Sequence, residues 1–367
     1  MRTEFLDRFK RVFPDPRFPD PVRPDIEDLV FFLDSEDPGE NAYLFDKAAE
    51  VRDIHCGRRM VVRGLLEFSS HCSNTCLYCG LNRNNLRAQR YRLSAEEISE
   101  GAALVHAAGI RTIVMQSGED SFPADRLAEA IREIKKRFDL AITLSVGERS
   151  RADYALWKEA GADRYLLRIE STDEKLYRSM HIGREVATRL ECLENLRGLG
   201  YQVGSGIMVG PPGQTAEILA RDILFLAERE CDMIGIGPFI PHPDTPFGSA
   251  RAGGVPLTLR TLALLRLLTR NAWLPATTAL GSMDRDYRTD ALKAGANVLM
   301  PNFSPREVKT KYEIYPGKRC VTEGTGACAG CTERIAREAG LELDLSRADS
   351  LKMKTAPDYA SRAASDQ

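Results

Sequence analysis

The sequence lacks both a dominant charge and a long apolar run. Lys and Arg number 51 against 53 Asp and Glu, which gives a formal net charge of -2. This balance provides no electrostatic reason to expect nucleic acid or an anionic membrane as a partner. No stretch approaches the roughly 18 consecutive apolar residues of a membrane-spanning helix, and the mixed-charge start is not a secretory signal. We therefore expect a cytoplasmic protein.

The nine cysteines are an odd number and do not suggest a disulfide framework. Six of them form two tight groups. These are Cys72, Cys76 and Cys79, and then Cys320, Cys328 and Cys331. In a large enzyme of a reducing compartment, such groups are typical of metal or cluster ligands. The scattered Cys56, Cys192 and Cys231 are expected to be buried as small apolar side chains.

A regular alternation of short β-rich runs and amphipathic helical stretches fills most of the chain. The runs cover residues 61–69, 112–118, 141–148, 164–171, 202–210, 233–241, 275–282 and 297–302. Eight such units predict a complete (β/α)8 TIM-type barrel, an α/β fold. An open doubly wound sheet is the alternative, but no early G-x-G-x-x-G turn supports it.

The barrel is expected over residues 61–305. Residues 1–60 would form an N-terminal helical extension, and residues 306–367 a C-terminal tail that carries the second cysteine group. Ser94 followed by Glu97 has the pattern of a capping box, which predicts a helix start.

The first cysteine group has the spacing C-x3-C-x2-C and directly follows the first run. Active sites of α/β barrels lie at the carboxyl ends of the strands. Three thiolates can ligate three irons of a 4Fe-4S cluster, and the fourth iron then stays open for a small molecule. Zinc remains an alternative, although structural zinc normally takes four protein ligands.

With Tyr78 before its last cysteine, this motif resembles that of the radical S-adenosylmethionine (SAM) superfamily. The resemblance implies that SAM chelates the open iron, and that one electron splits it into methionine and a 5′-deoxyadenosyl radical. Two further turns resemble the superfamily: Gly118-Glu119, like its "GGE" turn, and Met208 to Gln214, like its G-x-P-G-Q turn.

Polar side chains at the other strand ends complete the expected cofactor site. Alternation places Arg168 and Glu170 on the same face of a strand, where Arg168 could bind a carboxylate and Glu170 the ribose hydroxyls; a buried salt bridge is the alternative. The implied cofactor-binding residues are Tyr78, Gln116, Gly118, Glu119, Ser145, Arg168, Glu170, Arg189 and Met208.

Longer segments resemble the HydE family, the radical SAM maturases of FeFe-hydrogenase. They include CLYCGLNRNN, RYLLRIES, GIGPFIPHPDTPF and YEIYPGKRC, within about residues 60–340. Ser73 departs from the basic residue that the family often has there.

The resemblance implies a small iron–cysteine substrate that carries carbon monoxide and cyanide and comes from a sister maturase. The product would pass to a scaffold protein, and a reductant such as ferredoxin or flavodoxin would supply electrons. The implied substrate-binding residues are Thr143, Arg168, Thr277, Thr278, Met300 and Tyr315.

The second group, C-x7-C-x2-C, is one ligand short of a complete 2Fe-2S set. The resemblance implies an auxiliary cluster there, 2Fe-2S or 4Fe-4S, while zinc and free thiols stay open.

Three other functions compete with the maturase. A methylornithine synthase-like enzyme would share the barrel and the loop. A biotin synthase-like enzyme would need cysteines on the inner strands, and none of the eight runs has one. A non-enzymatic iron–sulfur or zinc protein would not cleave SAM at all.

Overall fold

The computed structural model describes residues 1–14, 24–321 and 327–354. Three helices come first. They are α1 (Thr3–Val12), α2 (Ile26–Leu33) and α3 (Pro38–Cys56). Aromatic side chains join α1 to α2, since Phe5 meets Phe32 edge-on with ring centroids 5.3 Å apart.

Nine short strands then alternate with helices. The strands are β1 (Arg59–Val62), β2 (Gly64–Ser69), β3 (Thr112–Ser117), β4 (Ala141–Ser145), β5 (Arg164–Leu166), β6 (Gln202–Val209), β7 (Met233–Pro238), β8 (Val298–Leu299) and β9 (Glu342–Asp344). The helices are α4 (Ala95–Ala107), α5 (Ala124–Arg137), α6 (Arg151–Ala160), α7 (Glu174–Met180), α8 (Val186–Gly198), α9 (Ala216–Glu228), α10 (Val255–Thr269), α11 (Thr278–Gly281), α12 (Arg288–Lys293), α13 (Arg306–Lys309) and α14 (Ala327–Glu338). A 3-10 turn follows at Leu351–Lys354.

The strands form two parallel sheets. One contains β2 to β7 in chain order, and in the other β1 lies between β8 and β9. Every residue of β2 and β7 is buried, as in parallel sheets that helices cover on their faces. The predicted α/β class with parallel strands is confirmed.

Local signals explain several element boundaries. Ser94 and Glu97 form the predicted capping box at the start of α4, which satisfies two otherwise unpaired N–H groups. Gly161 ends α6 in the left-handed region with φ +113°, where a side chain would be strained. α3 packs against α10, and α2 against α9. No helix of the described ranges is long and apolar enough to cross a bilayer.

Single backbone bridges extend from both edges of the six-stranded sheet. Ile234 N donates to Trp273 O over 2.9 Å beside β7, and Pro275 pairs with Val298 of β8. At the other edge, Leu65 N donates to Pro301 O over 2.9 Å. The segment around Trp273 and the segment that contains β8 therefore lie between β7 and β2.

The predicted strand at 275–282 is wrong over most of its length. Only isolated bridges occur at Trp273 and Pro275, and Thr278–Gly281 forms the short helix α11. Pro275 has no N–H to donate to a ladder, and Ala279 and Leu280 are good helix formers.

The tail after α14 covers the amino ends of the strands, which the sequence did not lead us to expect. β9 pairs with β1, Thr112 donates its hydroxyl to Arg347 O over 2.8 Å, and Arg164 donates to Asp349 over 2.7 Å. The carboxyl ends of the strands are left as the face where a site can form.

Residues 310–319, which we call the strap, cross that carboxyl face. Lys318 is buried, forms an ion pair with buried Glu67 of β2, and donates to Tyr312 O over 3.0 Å. Asn302 donates to the other Glu67 oxygen over 2.9 Å. The strap is thereby fixed to the first strand of the six-stranded sheet.

Replacing Lys318 by Met should destabilise the protein by about 3–5 kcal/mol, because Glu67 would keep a buried charge without a cation. Urea unfolding of the apo-protein under anaerobic conditions measures this. Arg334→Met, which removes an exposed pair with Glu338, is the matched control and should change little. Equal free energies of unfolding for the two variants would contradict the buried ion pair between Lys318 and Glu67.

Candidate active site

The cysteine loop between β2 and α4 is held by one side chain that binds its backbone carbonyls. Arg90 donates to Ser70 O over 2.7 Å and to Leu81 O over 2.9 Å. The same guanidinium donates to Asn82 O over 2.8 Å. One side chain thus joins both ends of the cysteine motif.

Three neighbouring segments hold the loop from outside. Ser73 N donates to Glu119 O over 2.9 Å, and Leu77 N donates to Met180 O over 3.0 Å. Gly80 N donates to Ile314 O of the strap over 2.9 Å. The thiols therefore lie between the end of β3, the end of α7 and the strap.

Burial raises the pKa of all three thiols, and that of Cys79 to about 12. At neutral pH they are protonated unless a cation compensates the buried negative charge. Irons supply that charge, so that loading a cluster releases protons. Within the described residues, no three His, Cys, Asp or Glu side chains converge on a position for one metal ion.

The three thiols line a cleft of about 740 Å³. Seven of the nine predicted cofactor-binding residues also line it. They are Tyr78, Gly118, Glu119, Ser145, Arg168, Glu170 and Arg189. The other two lie outside the lining: Gln116 is hydrogen-bonded to the Tyr312 hydroxyl, and Met208 packs in an apolar group with Phe239.

Arg189 is the centre of the ion network on the cleft wall. It pairs with Glu119, donates to Glu148 over 2.8 Å, and donates to Arg168 O over 2.9 Å. Glu148 also pairs with Arg184 at 3.2 Å. Glu148 lies at the end of the third run, where the sequence led us to expect polar side chains near the site, although we assigned it no cofactor contact.

Arg168 and Glu170 face the cleft together, as their alternation indicated. Arg168 Nη2 lies 3.1 Å from Glu170 Oε2, yet Glu170 Oε2 and Arg168 Nε have no hydrogen-bond partner. Glu170 also has φ +62°, a strained conformation that clusters at functional sites. Unfilled buried donors and acceptors of this kind suit a ligand with hydroxyl and carboxylate groups, such as SAM.

Asp222 of α9 supports the turn that follows Glu170, and the sequence analysis missed it. Its carboxylate accepts from Thr172 N over 2.6 Å and also from the Thr172 hydroxyl. Burial raises the pKa of Asp222 to about 6. The contact joins residues 50 positions apart, so no local pattern reveals it.

His181 is a second missed neighbour of the motif. Its Nδ1 lies 3.0 Å from Tyr177 O, and this donor role leaves Nε2 to accept from the Tyr78 hydroxyl over 3.0 Å. Burial lowers the pKa of His181 to about 3, so the ring is neutral. His242, in contrast, is a buried loop residue whose Nδ1 accepts from Asp244 N.

Apart from Arg168, the predicted substrate-binding residues do not line the cleft. Thr143 has a buried hydroxyl without a partner and lines a smaller space with Arg63 and Arg164. The other four contact neighbouring segments. Thr277 donates its hydroxyl to Ile236 O, Thr278 begins α11, Met300 packs in the Trp273 group, and Tyr315 is hydrogen-bonded to Ser282.

The second cysteine group is brought together in part. Arg288 approaches both Cys320 Sγ, at 4.0 Å, and Cys331 Sγ, at 3.8 Å. The side chain of Cys328 lies outside the described residues.

Comparison with known proteins decides the family. Residues 66–244 match the model of the radical SAM superfamily. The chain is 46% identical over 304 residues to the [FeFe] hydrogenase maturase subunit HydE of Thermotoga maritima, which covers 83% of this chain and 87% of that protein. The chain belongs to the HydE family. It is therefore a radical SAM enzyme of the hydrogenase maturases, and the non-enzymatic alternative is wrong.

Solved structures share the fold of this HydE-family chain. Methylornithine synthase, PylB, superposes with a TM-score of 0.75 at 25% identity, over 87% of this chain and 94% of that one. The hydrogenase maturase HydG superposes with a TM-score of 0.79 at 18% identity, over 98% of this chain and 81% of that one. The likeness to HydG concerns the fold alone.

Gly118→Ala should lower the iron bound after anaerobic reconstitution. A Cβ at this position would lie 2.3 Å from His71 O and 2.8 Å from Cys72 Cβ, which forces the cysteine loop to move. Iron and sulfide analysis with the visible absorption spectrum measures the effect. Gly198→Ala, whose Cβ would meet nothing within 4 Å, is the control. Equal cluster content in both variants would refute the close contact.

Asp222→Asn should change how stability depends on pH. The folded pKa of about 6 lies above the ordinary 3.8, so the stabilising protonated form is lost as pH rises through 6. Wild type should therefore lose about 2 kcal/mol relative to the variant between about pH 4.5 and pH 7. Urea unfolding of both apo-proteins tests this. If the free energies of unfolding of the two proteins changed with pH in the same way, the raised pKa of Asp222 would be contradicted.

Proposed function

We propose that this enzyme binds a 4Fe-4S cluster and SAM in the cleft and acts on a small iron–cysteine complex with carbon monoxide and cyanide ligands, during maturation of the FeFe-hydrogenase active site. The observation that carries the proposal is the position of three partly buried thiols on the wall of a cleft that also contains Arg168 and Glu170 with unfilled hydrogen-bonding atoms. Membership of the HydE family supports the same reaction.

The residues divide the work in the cleft. Cys72, Cys76 and Cys79 would hold the cluster. Gly118 brings the backbone close to the cysteine loop, and Glu119, already fixed by Arg189, would accept the SAM amine. Glu170 would accept from the ribose hydroxyls.

When bound, the cluster and SAM supply one-electron cleavage that yields methionine and a 5′-deoxyadenosyl radical. The chain would protect this chemistry from water, because Tyr312 and Ile314 of the strap line the cleft above the cysteine loop. Exclusion of side reactions is the protein's part in cofactor chemistry.

The strands are proposed to close as a complete (β/α)8 barrel. The bridges at Trp273, Pro275 and Leu65 support closure, since they join β7 to β8 and β8 to β2. Thr143, Met300, Thr277, Thr278 and Tyr315 would then lie along the barrel interior and its mouth, where a substrate deeper than SAM could reach them.

The second cysteine group is proposed to hold an auxiliary iron–sulfur cluster. Arg288 lies beside Cys320 and Cys331, and its positive charge would stabilise thiolates. The partners would be a sister maturase that supplies the substrate and a scaffold that receives the product. We place the enzyme in the cytoplasm, since all cysteines that the structure describes are free, as in reducing compartments.

Reconstituted enzyme with dithionite and SAM should form 5′-deoxyadenosine and should restore hydrogenase activity in a strain that lacks this maturase. Cys76→Ala should abolish both, because it removes a cluster ligand. Chromatography of the nucleoside and a hydrogenase assay are the measurements.

Wild-type enzyme with a full cluster that forms no 5′-deoxyadenosine would refute the proposal. L-lysine separates the enzyme from a methylornithine synthase. Conversion of L-lysine together with failure to restore hydrogenase would favour that alternative.

A further inference from the structure

Two exposed apolar side chains flank the cysteine loop. Leu86 is 94% exposed and Ile182 is 57% exposed, and they belong to only six large apolar side chains exposed in the parts of the chain that the structure describes. Single exposed apolar residues are ordinary. The position of these two beside a redox site is what requires an explanation.

The loop that presents Leu86 is rigid and belongs to the cluster-binding segment. The Asn82 amide donates to Cys79 O over 2.8 Å, and the Asn85 amide donates to Gly80 O over 2.8 Å. Leu86 thus directly follows a residue in contact with the cysteine motif. Leu86 is therefore exposed on a turn that hydrogen bonds hold in place.

Ile182 is fixed on the other side of the motif. The Thr75 hydroxyl donates to Ile182 O over 3.3 Å, and Cys76 forms an isolated backbone bridge with His181. The cysteine loop therefore lies between the two segments that carry these exposed apolar side chains.

The charge around Leu86 is basic. The Arg83 side chain is exposed. Arg87 is 82% exposed and pairs with Asp244 at 2.6 Å. Of the nearby acids, Glu185 is already paired with Arg178, and Glu313 lies near His242. An acidic protein surface would complement the charge of this face, and electrostatic steering would raise the rate of association.

We infer that Arg83, Leu86, Arg87 and Ile182 form a donor face, on which an acidic protein with a one-electron redox centre docks to reduce the cluster. The inference rests on the proposed function and names its electron source. The step transfers one electron: the carrier is oxidised by one electron, the cluster is reduced by one, and no bond or proton moves. The apolar residues would supply contact area and the arginines orientation.

The position agrees with what electron transfer requires. The Cys79 thiol is partly buried, and the carbonyls of Cys79 and Gly80 accept hydrogen bonds from the turn that carries Leu86. A carrier bound on the donor face would come close to the cluster without entering the cleft, so SAM and substrate could stay in place during reduction.

Binding of oxidised flavodoxin to the apo-enzyme, by isothermal titration calorimetry, tests the face without any cluster activity. Leu86→Asp and Arg83→Glu should each weaken binding by about tenfold, and salt should weaken wild-type binding. Leu104→Asp, on exposed α4 (48% exposed), is the control and should bind like wild type. Unchanged binding by both donor-face variants would overturn the inference.

Formation of 5′-deoxyadenosine with two reductants separates this inference from the proposed function. With dithionite, Leu86→Asp should match wild type within about twofold, and with reduced flavodoxin it should be about tenfold slower. Equal loss with both reductants would overturn the donor face. Absence of product from wild type with dithionite would instead overturn the proposed function.

Discussion

The structure depends on keeping three partly buried thiols in place before any metal compensates their charge. Burial raises the pKa of these thiols, so the empty loop cannot rely on attraction between iron and sulfur for its shape. Hydrogen bonds to the backbone of the loop hold it in shape instead. Arg90 binds carbonyls at both ends of the motif, and the absence of a side chain at Gly80 lets the strap approach, since a Cβ there would lie 2.2 Å from Glu313 O. A preformed loop loses less conformational entropy when the cluster binds.

The strap connects this loop to the rest of the site. Its Lys318 forms the ion pair with Glu67 inside the sheet, and its Ile314 accepts from Gly80 N. The Tyr312 hydroxyl of the strap is hydrogen-bonded to Gln116 at the end of β3. A displacement of any one of these contacts would move the cleft wall and the cysteine loop together. Cys320 comes two residues after Lys318, so the second cysteine group is joined to the cleft by a very short piece of chain.

The sequence predicted those parts of the molecule that local patterns determine. Buried parallel strands appear as short apolar runs, and the Ser94–Glu97 capping box is a local device, so both were predicted correctly. The run at 275–282 was misread, because a short apolar segment does not distinguish a strand from a buried helical turn. The same limit applies to the site. Glu170 could be predicted from its strand position, whereas Asp222, which supports its turn, comes from a helix 50 residues away. β9 has three residues, which is too few to show the alternation of apolar and polar side chains that marks a strand.

Seven of the nine predicted cofactor residues line the cleft. Five of them, all except Tyr78 and Arg189, lie at or just after a strand end, and the carboxyl ends of parallel strands meet at one face, a geometric fact that needs no knowledge of side-chain packing. The depth at which a side chain lies along its strand cannot be predicted in the same way. Thr143 and Ser145 lie on the same strand, yet Ser145 lines the cleft and Thr143 lines the smaller space below it. A buried polar atom without a hydrogen bond costs roughly 1–3 kcal/mol. Thr143 Oγ1, Arg168 Nε and Glu170 Oε2 have no hydrogen-bond partner, although Glu170 Oε2 keeps its ion pair with Arg168. A fold selected for stability alone would fill these positions with apolar side chains, so their polarity is best explained by ligands that complete their hydrogen bonds.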